Sequence, residues 1–563
     1  MDGNNLALIR QEFLLSPDKF KAIVEGFKAE CEHGLATASA SGLATMIPSY
    51  VTRMPTGNEI GTYLALDLGG STLRVSAVQL LGNGQVKVTE VRRLITGTLR
   101  SGTTDAFFDW IVDTIAELIE NIPPRDDEQH QKQPLAMGVS WSFPLDQTGI
   151  CKGTVLRMGK GFTLQGIDGQ DLATLFSDAC KRKGVNVVVT ALLNDTVGAL
   201  VAHAYTNPQA RVGFIYGTGV NAAYPEKVSR ITKLGGQQNW QESDEMLVNT
   251  EIDIFGSDAY LPRTRFDKKL DASHSQPDFQ VYEKMMSGAY LGELTRLAAA
   301  ELVSNKELFA DQQVLPSLIK TPWSFVTAHM SEIERCSGES MQERQSRLCK
   351  LFEIDAISPK DVQVLTDLCE IVATRGAGLA SAAIAAIIEQ QPELLSSTSP
   401  YKDIVVGING TTFDAYPNMP ERMARFLADW FGQDTAKRIK LQSARDGGSI
   451  GGALVAMLYQ DPPRTPTLSD DQHPPPPPPL AATTKITTSS TSSSSSSPRS
   501  RTERNNSTST AATPVSIVRS IYGFIVSCFR PSPPRKSNNV GKASVARTNS
   551  VPNETISDEE KKL

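Results

Sequence analysis

Apolar and polar positions alternate in short blocks along the first 460 residues, with turn residues between the blocks. The run Leu64-Ala-Leu-Asp-Leu-Gly-Gly-Ser-Thr-Leu-Arg-Val75 reads as two strands, 63–68 and 73–80, on either side of a Gly-Gly turn. Ser16-Pro17 places a cap and a first-turn proline ahead of a helix running to 35. Residues 107–121 carry the period of an amphipathic helix, and 135–140 read as a strand. A strand over 185–193 runs into Asn194-Asp195-Thr196 and a helix through 204. A strand over 212–216 leads into Gly217-Thr-Gly-Val-Asn221, and 282–302 reads as one long helix. A strand over 404–408 ends in Asn409-Gly-Thr-Thr412, and Asp446-Gly-Gly-Ser-Ile-Gly-Gly452 opens an apolar helix over 453–458. Strands alternating with helices indicate α/β layers, and no repeat at solenoid spacing is present.

The pattern stops near Gln460. Beyond it lie a proline run at 474–479 and a serine run at 492–497, a composition that cannot bury enough apolar surface to offset chain entropy. Between 472 and 553 the only acid is Glu503, so a disordered, basic tail over 462–563 is expected. Residues 515–530 form an apolar island too short and too interrupted to span a bilayer. Cys528 beside Arg530, Arg535 and Lys536 suits acylation with attraction to anionic lipid; the island also reads as a docking segment for a protein, or as a plain apolar patch.

Composition narrows the class. The 563 residues are 40% hydrophobic with net charge -6, so the body is globular and its core gives no reason to expect nucleic acid. Seven scattered cysteines without a Cys-x-x-Cys pair argue for reduced thiols, and the first residues lack a signal-peptide pattern. The expected location is the cytoplasm, with the tail as a tether to the mitochondrial or another membrane surface, and the nucleus left open.

The candidate chemistry lies at the Gly-rich turns. Gly69 and Gly70 lack a Cβ, so their amides can lie against phosphate oxygens; Ser71 and Arg74 add donors, and Asp67 suits a hydrated magnesium ion. The same residues also make an ordinary hairpin turn. Asp195, where a strand meets a helix, is placed for a general base, though the bare Asn-Asp-Thr step reads first as a helix cap. Gly217-Thr218-Gly219 and Gly447-Gly448 are further anion-binding turns. Three such turns in order, with an acid between them, fit a two-lobed nucleotide phosphotransferase.

These segments together resemble the hexokinase family of the actin-like ATPase (ribonuclease H-like) fold. Asp67-Leu-Gly-Gly-Ser-Thr-Leu-Arg74 is similar to its first phosphate hairpin and Gly217-Thr-Gly-Val-Asn221 to its second phosphate turn. Trp141-Ser-Phe-Pro144 and Lys160-Gly-Phe162 resemble its sugar-binding segment, and Leu193-Asn-Asp-Thr-Val-Gly198 the strand end bearing its catalytic Asp. Asn249-Thr-Glu251 and the stretch from Tyr282 to Glu293 resemble its two sugar-contacting Glu segments, and Leu261-Pro-Arg-Thr264 also matches. The resemblance covers about 6–460. It implies a two-lobed α/β fold with a central cleft. A small lobe over 1–207 would begin with a helix packed on the large lobe, and a large lobe over 208–461 would send its last helix back to the small one. It implies Asp195 as the base. Ser142, Lys160, Asn194, Asn221, Glu251 and Glu283 would hold a hexose. Asp67, Gly69, Gly70, Ser71, Thr72, Arg74, Gly217, Thr218, Gly219, Gly410, Thr411, Gly447 and Gly448 would hold ATP, with Mg2+ on Asp67 through water.

Departures accompany the matches. Thr72 stands where the family usually has Asn, Gly159 where it has Thr, and Asp253 where it has Gly. Asn409-Gly-Thr411 replaces Asp-Gly-Ser, and Gly447-Gly-Ser-Ile450 replaces Gly-Ser-Gly and a basic residue. Each lost neutral hydrogen bond costs about 0.5–1.5 kcal/mol, so several together would weaken binding by roughly two to four powers of ten. The expectation favoured by these changes is an atypical regulator of carbon metabolism, of the fungal hexokinase-like type, that binds hexose and ATP with weak or no phosphotransfer. The alternative is an active hexokinase phosphorylating the 6-hydroxyl of hexoses at the start of glycolysis.

Overall fold

Two mixed sheets repeat one strand order. In the first, β1 (Ile60–Leu68), β2 (Thr72–Gly82) and β3 (Gln85–Leu94) form an antiparallel meander, and β4 (Leu135–Trp141) and β5 (Val187–Leu193) add in parallel beside β1. In the second, β6 (Ala210–Tyr216), β7 (Val220–Lys227) and β8 (Glu245–Asn249) form the meander, and β9 (Ile404–Asn409) and β10 (Ile439–Ser443) the parallel half. Two-residue strands extend each meander edge, Asn549–Ser550 beside β3 and Ile47–Pro48 beside β8. The computed structural model describes residues 5–37, 44–123, 133–159, 161–235, 240–241, 243–310, 315–444, 446–460 and 549–550. Lys160, the proline and serine runs and the 515–530 island lie outside the described residues, as does the expectation of disorder in the tail.

Helix α1 (Pro17–Ala36) begins where Ser16 Oγ accepts from the Lys19 amide. Its apolar stripe, Phe20, Ile23, Val24, Phe27 and Cys31, joins the core of the second sheet, where the Phe27 ring meets those of Phe255, Tyr260 and Tyr282. Helices α2 (Thr104–Glu120) and α3 (Leu172–Lys183) cover the first sheet with Phe107, Phe108, Ile111 and Phe176. Helix α4 (Asp195–Thr206) lies between the two sheets, in a third core with residues 453–455. A tight approach of backbone is built into that junction: a Cβ on Gly198 would meet the Gly447 carbonyl at 2.5 Å.

The sequence predicts one helix over 282–302, and the structure breaks it in two. Helix α5 (Val281–Met286) ends at Ser287, and α6 (Leu291–Ser304) begins after Tyr290. The break serves the second Gly-rich turn. The Gly288 and Ala289 amides donate to the carbonyls of Gly217 and Thr218, at 2.8 and 3.1 Å. Ser287 Oγ donates to the Thr218 carbonyl at 2.9 Å. Amides turned toward another segment cannot continue an i→i−4 ladder.

Helix α7 (Pro359–Glu389) is the one described helix long and apolar enough to cross a membrane, yet 94% of its apolar window is buried in the second sheet's core. Its Arg375 forms a two-pronged pair with Asp267 at 2.6 and 2.7 Å and donates to the Met285 carbonyl of α5 at 2.9 Å. Helix α8 (Met419–Phe431) packs against it. The final helix, α9 (Gly452–Leu458), follows a wide turn over 447–451 and returns to β1 and β4 of the first sheet.

Candidate active site

Asp67 ends β1 and faces Arg74 across the hairpin, with Arg74 Nη1 3.8 Å from its Oδ2. The Gly69 amide donates to the Thr72 carbonyl at 3.1 Å, so it closes the turn instead of projecting outward as the sequence reading supposed. The hydroxyls of Ser71 and Thr72 lie 3.5 Å apart. The third turn leans on this hairpin: a Cβ on Gly448 would come within 3.1 Å of the Asp67 carboxylate. Its neighbour Gly447 packs on Ala199 of α4, so residues 447–448 bridge the first hairpin and the helix that begins at Asp195.

The second turn, Gly217-Thr218-Gly219, is braced from three sides. Besides the α5–α6 break, Thr412 Oγ1 donates to the Gly217 carbonyl at 2.8 Å. Gly410, at φ +144°, presses on the Tyr216 carbonyl, where a Cβ would stand 2.3 Å away. No side-chain residue fits there. Thr411 starts the short helix Thr411–Ala415.

Asn194 caps α4, its Oδ1 accepting from the Thr196 amide at 2.8 Å. The helix-cap reading therefore holds for Asn194, while Asp195 stands exposed as the first helical residue. Glu251 Oε1 accepts from Asn249 Nδ2 at 2.6 Å and Asn221 Nδ2 at 3.1 Å. Glu283 Oε2 accepts the Val220 amide at 3.0 Å and sits where a Cβ on Gly219 would lie 2.6 Å from it. The phosphate-type turn and the acidic helix thus meet at one atom's clearance. Ser142 follows β4, whose Ser140 pairs in register with Asp67. The segment after Lys160 docks beside Ser142 through Phe162, whose ring lies 5.1 Å from that of Phe143.

The electrostatics of this group are unusual for carboxylates. Burial raises Glu251 to about 7, with Asp253 the next cause and Asp195 a further one. Burial likewise raises Asp253 to about 6, with Glu283 adding to it, and Glu283 to about 7, with Glu251 adding to it. Asp195, at the start of α4, is therefore near enough to Glu251 to raise it. Among the described residues no Lys or Arg pairs with Glu251, Asp253 or Glu283; Lys284 turns away to Asp271 at 2.6 Å. Asn249, Ser287 and Thr412 were not singled out from sequence; Asn249 was legible as the residue before Thr250-Glu251, the other two only through their contacts.

The comparisons with known proteins agree with this geometry. Residues 5–205 and 211–458 match two family models, each described as hexokinase. The chain belongs to the hexokinase family. It is 35% identical over 457 residues to Hexokinase-2 of Candida albicans, spanning 80% of this chain and 91% of that protein. It is also 35% identical to Hexokinase-1 of Nicotiana tabacum over 459 residues, 80% of this chain and 90% of that one. A solved hexokinase of Schistosoma mansoni complexed with glucose superposes with a TM-score of 0.66 at 32% identity, covering 80% of this chain and 97% of that one. A further hexokinase crystal structure, at 24% identity, gives a TM-score of 0.70 and supports the fold. The fold is the two-lobed α/β architecture of that family.

Proposed function

We propose that this chain is an ATP-dependent hexokinase that transfers a phosphoryl group to the 6-hydroxyl of a hexose, with Asp195 as the general base. The observation that carries the reading is the placing of Glu251 and Glu283 against the second Gly-rich turn and Asn221, with Asp195 near enough to raise Glu251. Asn221, Glu251, Glu283, Asn194, Ser142 and Lys160 would ring the sugar, since a sugar offers hydroxyls that need acceptors and a few donors. Asn194, its Oδ1 committed to the cap, offers its amide NH2. Asp195, exposed at a helix start, would take the proton of the attacking hydroxyl. Positioning and exclusion of water by lobe closure would do the rest.

The hairpin at 67–74, Gly217–Gly219, Gly410-Thr411 and Gly447-Gly448 would hold ATP. Asp67, the carboxylate near the end of β1 that faces Arg74, is of the donor type that holds a hydrated magnesium ion, and the third turn can lie beside it because residue 448 has no side chain. No cluster of three or more His, Cys, Asp or Glu able to hold a metal occurs among the described residues, so phosphate and water would complete the shell. When bound, the ion neutralises phosphate charge.

The regulator reading rested on the sequence departures and is set aside. The relatives reported above are named hexokinases, and the departures have local partners here. Ser449, displaced by one position, bonds Ser76 Oγ at 2.9 Å and donates to Glu90 at 3.3 Å. Ile450 packs into the core between the sheets. Asp253 accepts from Gln280 at 2.6 Å. A coupled assay with glucose, fructose and mannose tests the proposal. Asp195→Ala is expected to reduce kcat by about 10²–10⁴ while calorimetry shows hexose still binding; turnover that survives the substitution removes Asp195 from the role. For the tail, we propose membrane or protein contact through residues 515–530 in a cytoplasmic enzyme. Unchanged fractionation of cells after their deletion would end that idea.

A further inference from the structure

The two acidic segments of the sugar side come from different parts of the chain. Glu251 lies in the turn after β8, at φ +50°, and Glu283 in the first turn of α5, whose leading residue Gln280 is itself at φ +53°. Non-glycine residues at such φ values are held there by their surroundings. One side-chain bond links the two segments: Gln280 Nε2 donates to Oδ2 of Asp253, two residues after Glu251, at 2.6 Å. The other oxygen, Oδ1, is sealed from solvent without a hydrogen bond of ordinary geometry, and the amides of Asp253 and Ile254 face the carboxylate only loosely. Oδ1 is closed to a ligand and Oδ2 is committed to Gln280, so the contact that the structure shows for Asp253 runs through its neighbour.

We propose that Asp253 is a positioning residue for the sugar site: its bond to Gln280 fixes the separation of Glu251 and Glu283, and its charge sets the pH range over which Glu251 accepts a sugar hydroxyl. This rests on the hexose-binding reading above. The groups facing Glu251 and Asp253 are Asp195 from α4, Glu283 from α5, Asn249 and Asn221 from the second sheet, and Gln280; the nearby cation, Lys284, is committed to Asp271 and the Gln276 carbonyl. Among the described residues, the ionisable groups that act on Glu251 are Asp253 and Asp195, both acids. A carboxylate accepts a hydroxyl best when ionised. With Glu251 held near neutrality, hexose affinity falls about tenfold between pH 8 and pH 6, as its ionised fraction falls by that factor. Removing the Asp253 charge moves this loss to lower pH.

The test is calorimetric titration of glucose from pH 6 to 8 into the full chain, wild type beside Asp253→Asn, Asp253→Gly and Gln280→Ala, with KM for glucose and for ATP measured in parallel. Asp253→Asn keeps an acceptor for Gln280 without the charge, and is expected to bind glucose at pH 8 within about threefold of wild type and to lose clearly less than the tenfold of wild type by pH 6. Asp253→Gly and Gln280→Ala break the link, and are expected to raise KM for glucose at least tenfold with KM for ATP within about twofold. Variants that bind glucose with the wild-type affinity and pH profile overturn the positioning role while leaving the hexokinase reading intact. Equal losses for glucose and ATP in both link-breaking variants also overturn it, as a general structural effect. Wild-type protein that binds no hexose overturns both.

Discussion

Glu251 is half-buried among acids and held there by two amides, from Asn249 and Asn221. Its folded pKa of about 7, and that of Glu283, lie above the ordinary 4.5. Between those values the folded chain binds more protons than the unfolded one, so stability falls as pH rises through this range. His203, His274 and His329, lowered by burial from 6.5, act in the opposite sense below that value. Lys233, lowered by burial to about 8, also acts in that opposite sense, so the Glu251 contribution is read by difference: between pH 6.5 and pH 8 the ligand-free wild type is expected to lose more in Tm, or gain less, than Glu251→Gln does. A Tm profile parallel to wild type would show that Glu251 does not titrate there. At this scale the sequence was informative about identity and silent about environment. Asp195, Glu251 and Glu283 are legible from short motifs, and Asp253 two residues after Glu251 announces a like-charge contact; that Glu283 in turn raises Asp253 is not announced, because it depends on burial and on a distant segment.

Elements show a different balance. The strands at 63–68, 135–140 and 404–408 and the helix from Ser16-Pro17 were readable from alternation and capping, and the structure extends each by a few residues at most. The long helix at 282–302 was misread because its apolar period continues through Ser287-Gly288, where amides are drawn to the 217–218 carbonyls. That break makes a prediction. A Cβ on Gly288 would lie 2.4 Å from Thr412 Oγ1 and 2.7 Å from the Gly217 carbonyl. Gly288→Val is expected to displace the second turn and raise KM for ATP by about tenfold or more, equivalent to about 1.4 kcal/mol, the size of one or two lost hydrogen bonds. An unchanged KM for ATP would separate that turn from the nucleotide. The same helix pair depends on α7: Arg375→Met leaves Asp267 charged and buried without its partner, a loss of about 3–5 kcal/mol in denaturant unfolding. A loss below about 1 kcal/mol would show that Asp267 finds another partner or a proton.

For the whole molecule, a hexose bound between elements of both sheets stabilises only the folded state. Glucose at 100 times its Kd should add about 2.7 kcal/mol to unfolding, seen as a shift in the urea midpoint; no shift at millimolar glucose would contradict hexose binding. The two-lobed arrangement was legible from the order of the motifs. The repeated strand order was not: motifs mark the start of β7 and the end of β8, but only the register shows β7 pairing with β6 and β8 with β7.

The return of α9 to the first sheet has a consequence for synthesis. Gly452 packs against Gly138 and Ala65, so the face of β1 and β4 stays open until the last helix leaves the ribosome. At roughly 5–20 residues per second, the wait between the end of β5 and the end of α9 is about 13–50 s. For that interval the nascent chain carries an apolar surface that only its own end can cover. It is then a client for holding chaperones, and a message truncated just before Gly452 would yield a chain that never leaves that state.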